Sequence, residues 1–486
     1  MVVAPPANAQ PNILLICVDD LRPELGCYGQ DAIQTPNIDR LASQGRRFGR
    51  HYVQAPTCGA SRYGLLTGAR PTHPGQLGNH FMINHTAKQP EVEAPESFVH
   101  HFRRSGYRTV GIGKISHSSD GLATREPDTR ELPHSWDEML AEYGAWGKSD
   151  APFFGYADGT NRNTLQKQVP PFEMGEVDDL GYPDGLHAQL ALSKLDELAA
   201  QEQPFLLAVG FYKPHLPFNA PKKYWDLYAR ENIPLSPNPD GPTDGARAFL
   251  HGSGEFFGNY KKGKEFGGAG KRISDAYARE VRHAYYACVS YIDAQIGLIL
   301  DRVDSLGLAE DTIVVLWGDH GWHLGDHTIW GKHSLFERAL HSPLILRVPG
   351  LKSPGVASDS LVGSIDIYPT LCELAGLSVP DSVDGRSFRA VLDDPAAPSL
   401  RPVYGYRSKS MSMRTERWRL LLTQRGGTWK AALFDHDADP FETRDLAAEQ
   451  PETVRALLEE WNLGTNGLIP TLAEWPWVAD AAADEE

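Results

Sequence analysis

Acidic and basic side chains stand at the ends of short strand-like runs along this chain, and that placement gives them a chemistry. The run at 12–18 ends in Asp19-Asp20, and the run at 312–317 leads to Asp319-His320-Gly321. The run at 107–111 leads into Lys114 and His117, and that at 205–210 into Lys213 and His215. Each alone reads as a turn, a cap or a solvated loop residue. Together they point to a site, because the carboxyl ends of strands in an open α/β sheet converge on one edge, where ligands bind. Asp19, Asp20 and Asp319 would gather three negative charges that repel and shift one another's pKa. A bound divalent cation resolves this. Carboxylate oxygens suit a hard ion, so Ca²⁺ is favoured, with Mg²⁺ the alternative, over Zn²⁺. His320 is either a further ligand or a hydrogen-bond partner of the site.

A second constellation lies at 56–68, Pro-Thr-Cys-Gly-Ala-Ser-Arg-Tyr-Gly-Leu-Leu-Thr-Gly. It reads as a loop entering a short helix with Cys58 at its start, where backbone N–H groups favour an anion. Arg62, four residues on, shares a face with Cys58. Such a cysteine is either a reactive thiolate or a small buried apolar residue.

The elements that must position these residues alternate. The strand run at 12–18 is followed by helical spacing at 35–45. Strands at 107–111, 205–210, 312–317 and 344–348 are separated by helical stretches at 186–200 and 274–306. This predicts an α/β domain with a large, mostly parallel sheet and helices on both faces. Two long polar stretches rich in Pro and Gly, 123–183 and 232–271, read as insertions near a functional face. A boundary near 395 divides a catalytic domain (11–395) from a C-terminal α+β subdomain (396–486). In the latter, antiparallel strands are expected at 412–422 and 430–434 and a helix at 452–463, with Pro451 as its start signal.

Composition bounds the rest. The chain has 486 residues, 41% hydrophobic and 23% charged, with a formal net charge of −16. It is a poor partner for nucleic acid or an anionic membrane, and no apolar run reaches the ~20 residues of a membrane helix. An anionic substrate would have to be drawn by cations clustered inside an acidic shell. Five cysteines are too few for a disulfide scaffold, and the odd count leaves at least one thiol unpaired. Residues 1–10 form a tail in which Ala7-Asn8-Ala9 reads either as the end of a signal peptide, placing the protein in the periplasm or outside the cell, or as a flexible terminus.

The segment Cys58-Gly59-Ala60-Ser61-Arg62 with Leu66-Thr67-Gly68 resembles the signature of the type I sulfatases, in the alkaline-phosphatase-like superfamily. Residues 11–20 with 39–45, Gly113-Lys114 with His117, Lys213-Pro214-His215, Gly318-Asp319-His320-Gly321, Gly331-Lys332-His333 and 433–446 follow in family order. The Lys-Pro-His segment and the Asp-His pair resemble the iduronate-2-sulfatase branch most.

The resemblance implies that a maturation enzyme oxidises Cys58 to formylglycine, which is hydrated to a diol. It implies that Asp19, Asp20, Asp319 and His320 hold the metal, with the oxygen at position 58 as a further ligand. Lys114 and Lys332 would grip the sulfate and Arg62 would support the diol. His117 would act on the diol protons, and His215 would protonate the leaving oxygen. Three departures from the family pattern stand out. Ala60 occupies a position that is commonly Pro, which makes conversion of Cys58 depend on the host. His320 stands where Asn is common, and the Lys114–His117 gap is one residue longer than in arylsulfatases. The rival readings are a phosphonate or phosphodiester hydrolase of the same superfamily and a non-catalytic binder of sulfated glycans. The expected substrate is a sulfated saccharide, held in a pocket walled by the two insertions. His80, His85, Trp136, Trp146, Trp322, His323, His327 and Trp330 are the aromatic and cationic candidates to face it, with core filling the alternative for each tryptophan.

Overall fold

The computed structural model describes residues 10–122, 129–425 and 428–462. The signal-peptide reading at Ala7–Ala9 and the residues after 462 lie outside that range. The centre of the molecule is an eight-stranded sheet. Its strands are β1 (Asn12–Val18), β2 (Arg46–Tyr52), β3 (Arg108–Gly113), β4 (Glu138–Leu140), β5 (Phe205–Phe211), β6 (Thr312–Gly318), β7 (Leu344–Arg347) and β8 (Ser358–Gly363). Their order across the sheet is β8-β2-β7-β6-β1-β5-β3-β4. Only β7 runs against its neighbours. The others run parallel, so their carboxyl ends share one edge. The expected mixed, mostly parallel sheet is the one observed.

β1, β5 and β6 are buried on both faces, which is why they read as unbroken apolar runs. Alternate residues of β1 serve two cores. Leu14, Ile16 and Val18 pack with α1 (Pro36–Gln44), α3 (Pro183–Ala199) and α4 (Asp275–Ser305). Ile13, Leu15 and Cys17 pack with α2 (Cys58–Thr67) and α5 (Ile367–Leu374). All five cysteines are free thiols. Among the described residues, no helix is long and apolar enough to cross a membrane.

The C-terminal part is an antiparallel meander of β9 (Val403–Arg407), β10 (Ser410–Arg414), β11 (Trp418–Arg425) and β12 (Thr428–Asp435), followed by α6 (Pro451–Asn462). One face packs Leu420, Leu422 and Leu433 on Val454, Leu458 and Trp461 of α6. The other packs Leu421, Ala432 and Phe434 on Tyr52, Phe336 and Leu340 of the large domain. The two parts therefore share a core.

One strand expectation is corrected, and two strands of the large sheet were not foreseen. The stretch 412–422 is not one strand; the Thr415 N–H bonds the Trp418 carbonyl at 2.9 Å, and this turn splits the stretch into β10 and β11. β2 and β8 carried no periodic apolar signal, because Arg46, His51, Ser358 and Ser360 are buried there as hydrogen-bonded polar groups.

Candidate active site

The strand-end residues meet at one buried point. β1 hands over to Asp19 and Asp20, with Asp20 in the left-handed region at φ 58°. That backbone turn directs its N–H to Asp319 Oδ1 at 2.9 Å, joining the ends of β1 and β6. α2 enters the same point from Thr57, an extended residue at its N-terminus. The Asn79 carbonyl lies 2.4 Å from where a Cβ on Gly59 would stand, so only glycine lets the loop at 74–79 close over the helix start. The Ser61 hydroxyl donates to the Asp319 carbonyl and locks α2 to the end of β6.

Cys58 Sγ is 3.3 Å from His320 Nε2 and 3.3 Å from Lys332 Nζ. Ligand atoms of Asp19, Cys58, Asp319 and His320 all lie within 4.8 Å of one another, and those of Asp20, Cys58 and His215 form an overlapping group. His320 Nδ1 sits 3.0 Å from the Gly321 carbonyl. A carbonyl only accepts, so Nδ1 carries the proton and the Nε2 lone pair faces the cluster, as a metal-ligating histidine requires.

The charges are matched in number but not at ease. Lys114 Nζ pairs with Asp19, and Lys332 Nζ lies 2.9 Å from Asp20 Oδ1. Arg62, fully buried, donates Nε to Asp319 Oδ2 at 3.1 Å and lies 3.8 Å from Asp19. Its guanidinium also binds the Lys114 and Ile115 carbonyls, so its support is directed at the carboxylates and the Lys114 backbone. Burial pushes the Asp19 carboxyl up, but Lys114, His215 and Arg62 outweigh it and hold the group well below its usual range. Burial wins at Asp20, which lies well above its usual value, and at Asp319, where Asp19 adds to it. Asp19 Oδ1 and Arg62 Nη2 are buried without a hydrogen-bond partner. An orphaned carboxylate oxygen and two carboxyls driven toward the neutral form are what a cation would relieve. The donor set, three carboxylates with one imidazole, fits a divalent ion.

Burial, then Asp19, raises the Cys58 thiol to about 12 against the pull of Lys114 and Lys332. The thiolate reading is thereby disfavoured; as a cysteine this residue is a neutral thiol at neutral pH.

Around the cluster stand the two histidines. His215 Nδ1 is 2.7 Å from the Leu216 carbonyl, and Nε2 is 3.1 Å from Glu255 and 3.7 Å from Asp20. Burial and Lys332 lower it to about 4, against Glu255 and Asp19. Lys213 clamps the same loop, donating Nζ to the His215 and Pro217 carbonyls at 2.9 and 2.7 Å. His117 is half-buried beside His80, with ring centroids 5.4 Å apart, and burial with Lys114 holds it well below its usual value. Lys114 Nζ lies 4.1 Å above the Phe153 ring.

The expected aromatic wall is mostly core. Trp136, Trp146, Trp322, Trp330, His323 and His327 are buried, and only His80 and His85 are exposed. Large rings fill volume where the cores need it. The reading missed Glu255, which also lies 3.5 Å from Lys332, and Phe153. Both come from the long insertions, where no periodicity or motif marks a residue.

Comparison with known proteins gives this arrangement its class. The sulfatase family profile matches residues 11–377, and a profile described as N-sulphoglucosamine sulphohydrolase, C-terminal, matches 325–462. The chain is 33% identical over 414 residues to iduronate 2-sulfatase of Homo sapiens, covering 78% of this chain and 72% of that protein. It is 28% identical over 480 residues to a sulfatase of Formosa agariphila, covering 93% and 87%. A solved structure described as a complex with its substrate D-glucosamine-2-N,6-O-disulfate superposes with TM-score 0.69 at 20% identity, covering 93% of this chain and 98% of that one. The phosphonate monoester hydrolase of Agrobacterium radiobacter shares the fold at TM-score 0.72 and 22% identity, covering 94% and 95%. The chain belongs to the sulfatase family, with the alkaline-phosphatase-like fold, and is a sulfuric ester hydrolase.

Proposed function

We propose that this sulfatase removes an O-sulfate from a saccharide, using a formylglycine made from Cys58 by a maturation enzyme and a divalent cation, Ca²⁺ in preference to Mg²⁺. The observation that carries the reading is the meeting of Cys58 Sγ with Lys332, His320 and the aspartate cluster at one buried point. Asp19, Asp20, Asp319 and His320 would hold the cation, which would supply charge neutralisation and acidify the attacking hydroxyl. Lys114 and Lys332, each paired with an aspartate, are the two cations available to the sulfate oxygens. Arg62 fixes two of the carboxylates. His117, with an unpartnered Nδ1, accepts a proton at position 58. His215 directs Nε2 toward the same centre and delivers a proton to the leaving oxygen; an anionic ester beside it favours its protonated form. The human relative acts on iduronate 2-sulfate by its name, which supports a sugar ester here. Residues 11–395 would form the catalytic domain and 396–486 a C-terminal subdomain, and the Ala7-Asn8-Ala9 segment supports export to the periplasm or beyond.

The test is twofold. The mass of the active-site peptide should report oxidation of the thiol to the aldehyde. The metal-loaded enzyme should release sulfate from sulfated saccharides faster than it cleaves matched phosphate or phosphonate esters. An unmodified Cys58 in active enzyme, or a preference for phosphonate, overturns the proposal. Chelation should inactivate, with rescue by Ca²⁺ or Mg²⁺ without Zn²⁺.

A further inference from the structure

A cavity of about 820 Å³ opens beside the reacting centre. Thr57 and His333 line its inner end and are the chain neighbours of Cys58 and Lys332; they are joined to each other at 3.2 Å. Leu77 lines the same cavity, and the β9–β10 hairpin supplies Arg407 and Lys409. Volumes of about 300–1,000 Å³ hold ligands larger than one sugar ring.

The cations of this hairpin differ from those at the centre. Lys114 and Lys332 each have an aspartate partner. Among the described residues, no carboxylate is paired with Arg407 or Lys409, although the chain carries 63 acidic residues against 47 basic ones. Arg407 is half-buried, and burial lowers its pKa. A partly desolvated guanidinium without a counter-ion is costly to keep. Among the described residues, Glu255 is the carboxylate felt together with Arg407 at His251 and His333. His251 and His333 have ring centroids 5.4 Å apart, and the Arg407 charge is felt at both.

The hairpin is built to hold this geometry. Arg407 pairs with Ser410 across a two-residue turn whose first residue, Ser408, has φ 53°, as tight hairpins require. Ser410 Oγ is tied to Thr423 Oγ1 of β11 at 2.6 Å. The same hairpin also lines a second cavity of about 190 Å³. In a chain with net charge −16, an anionic ligand is repelled at long range and must be recovered by local cations.

We propose that Arg407 and Lys409 form a second oxyanion subsite, which takes a carboxylate or sulfate on the sugar adjoining the one that loses its sulfate. The enzyme then reads at least a disaccharide, and its C-terminal part sets that preference. This rests on the saccharide reading above.

The experiment uses the mature, metal-loaded enzyme and three disaccharides that share one terminal sulfate. The adjoining sugar is neutral, carries a carboxylate, or carries a second sulfate. The wild type should favour one or both dianionic substrates by roughly 10- to 100-fold in kcat/KM, the range of one charge-assisted hydrogen bond. Which of the two is favoured identifies the group. Arg407→Gln should collapse the ratio toward one, Arg407→Lys should keep part of it, and Lys409→Gln should reduce it less. The ratio is independent of how much enzyme is folded. A wild-type ratio near one, or a ratio unmoved in Arg407→Gln and Lys409→Gln, overturns the subsite while leaving saccharide sulfatase activity standing. No sulfate release from any of the three overturns both.

Discussion

Two buried charge clusters in this molecule have nearly the same composition and opposite character. One is the strand-end cluster of Asp19, Asp20, Asp319, Arg62, Lys114 and Lys332. The other lies where the large domain meets the C-terminal sheet, and joins Glu337, Glu442, Arg419 and His436. Both contain groups of acidic and histidine side chains close enough to hold a metal. At the junction every carboxylate oxygen is engaged. Glu337 takes the Tyr52 hydroxyl at 2.9 Å on one oxygen and Arg419 on the other. Glu442 forms an ion pair with Arg419, Nε lying 2.6 Å from one oxygen though not aligned to donate to it. It takes His436 at 3.0 Å on that same oxygen and the Glu337 N–H at 2.7 Å on the other. Burial raises both glutamates, but Arg419 outweighs it and holds them below their usual range. At the strand ends, by contrast, burial wins at Asp20 and Asp319, and Asp19 keeps an orphaned oxygen. A guanidinium between two carboxylates completes a structural lock. Three carboxylates matched in number by cations, but with two driven toward the neutral form and one oxygen orphaned, make a site that awaits an ion.

The comparison breaks first at the nucleophile. Cys58→Ala should lower kcat by at least about 10,000-fold, the scale seen when a nucleophile is removed. Cys58→Ser should also fail in multiple turnover, since serine cannot expel sulfate by returning to an aldehyde. Both variants should melt near the wild type. Sustained turnover in either sinks the mechanism. The next largest effect separates the clusters directly. Divalent metal at 100- to 1,000-fold above its Kd should stabilise the enzyme by about 3–4 kcal/mol, read as the shift in melting temperature on chelation. Asp319→Asn should lose that shift together with activity. Glu337→Gln should keep it, so a shift lost in Glu337→Gln would place the ion at the junction instead.

What the sequence disclosed follows the same division. The strand-end residues were legible because β1, β5 and β6 are nearly continuous apolar runs and β3 is a short strand-like stretch, and a parallel sheet gathers whatever follows them. α2 was legible from its motif. The junction was not: Glu337 and Arg419 are 82 residues apart, and nothing in spacing pairs them. β2 was hidden by its arginines and histidine, which hydrogen bonds bury. Glu255 was hidden because an insertion has no period. The tryptophans divide: Trp136 and Trp330 fill core, as ring size alone favours, while the Trp322 ring lies 5.2 Å from Lys332 Nζ.

Arg419→Leu tests the lock itself. It removes the guanidinium shared by Glu337 and Glu442, leaving Glu442 with His436 at 3.0 Å and Glu337 with Arg414 at 3.7 Å; breaking a buried pair in this way costs up to about 3–5 kcal/mol. Denaturant unfolding should show that loss, while kcat per active site stays within about twofold. An Arg419→Leu enzyme as stable as the wild type would mean that the junction contributes nothing and the shared apolar core alone joins the two parts.

The smallest expected effect is in pH, and its sign differs between the clusters. Glu337 and Glu442 have folded-state pKa values below their unfolded ones, so they contribute stability that is full above about pH 4.5 and is lost as pH falls through the folded values. His341, lowered to about 4 by burial, acts in the same direction from its unfolded value near 6.5 downward. Asp20 and Asp319 have raised folded values. In metal-free enzyme they contribute stability below about pH 4 that is lost as pH rises through the folded values. Asp19, whose burial is outweighed by Lys114, His215 and Arg62, opposes them only below about pH 4. His117 and His215, held low by burial, oppose them up to their unfolded value near 6.5, equally with and without the ion, so they do not enter the difference between the two forms. A cation removes this loss by favouring the ionised forms. The melting-temperature gap between metal-loaded and dialysed metal-free enzyme should therefore widen from pH 5 to pH 8. In Asp20→Asn, which has one fewer carboxyl to ionise, the metal-free protein should lose less stability across that range than the metal-free wild type. A gap that narrows with pH, or an Asp20→Asn profile that follows the wild type, would mean that the strand-end carboxylates are already settled without an ion, as those at the junction are.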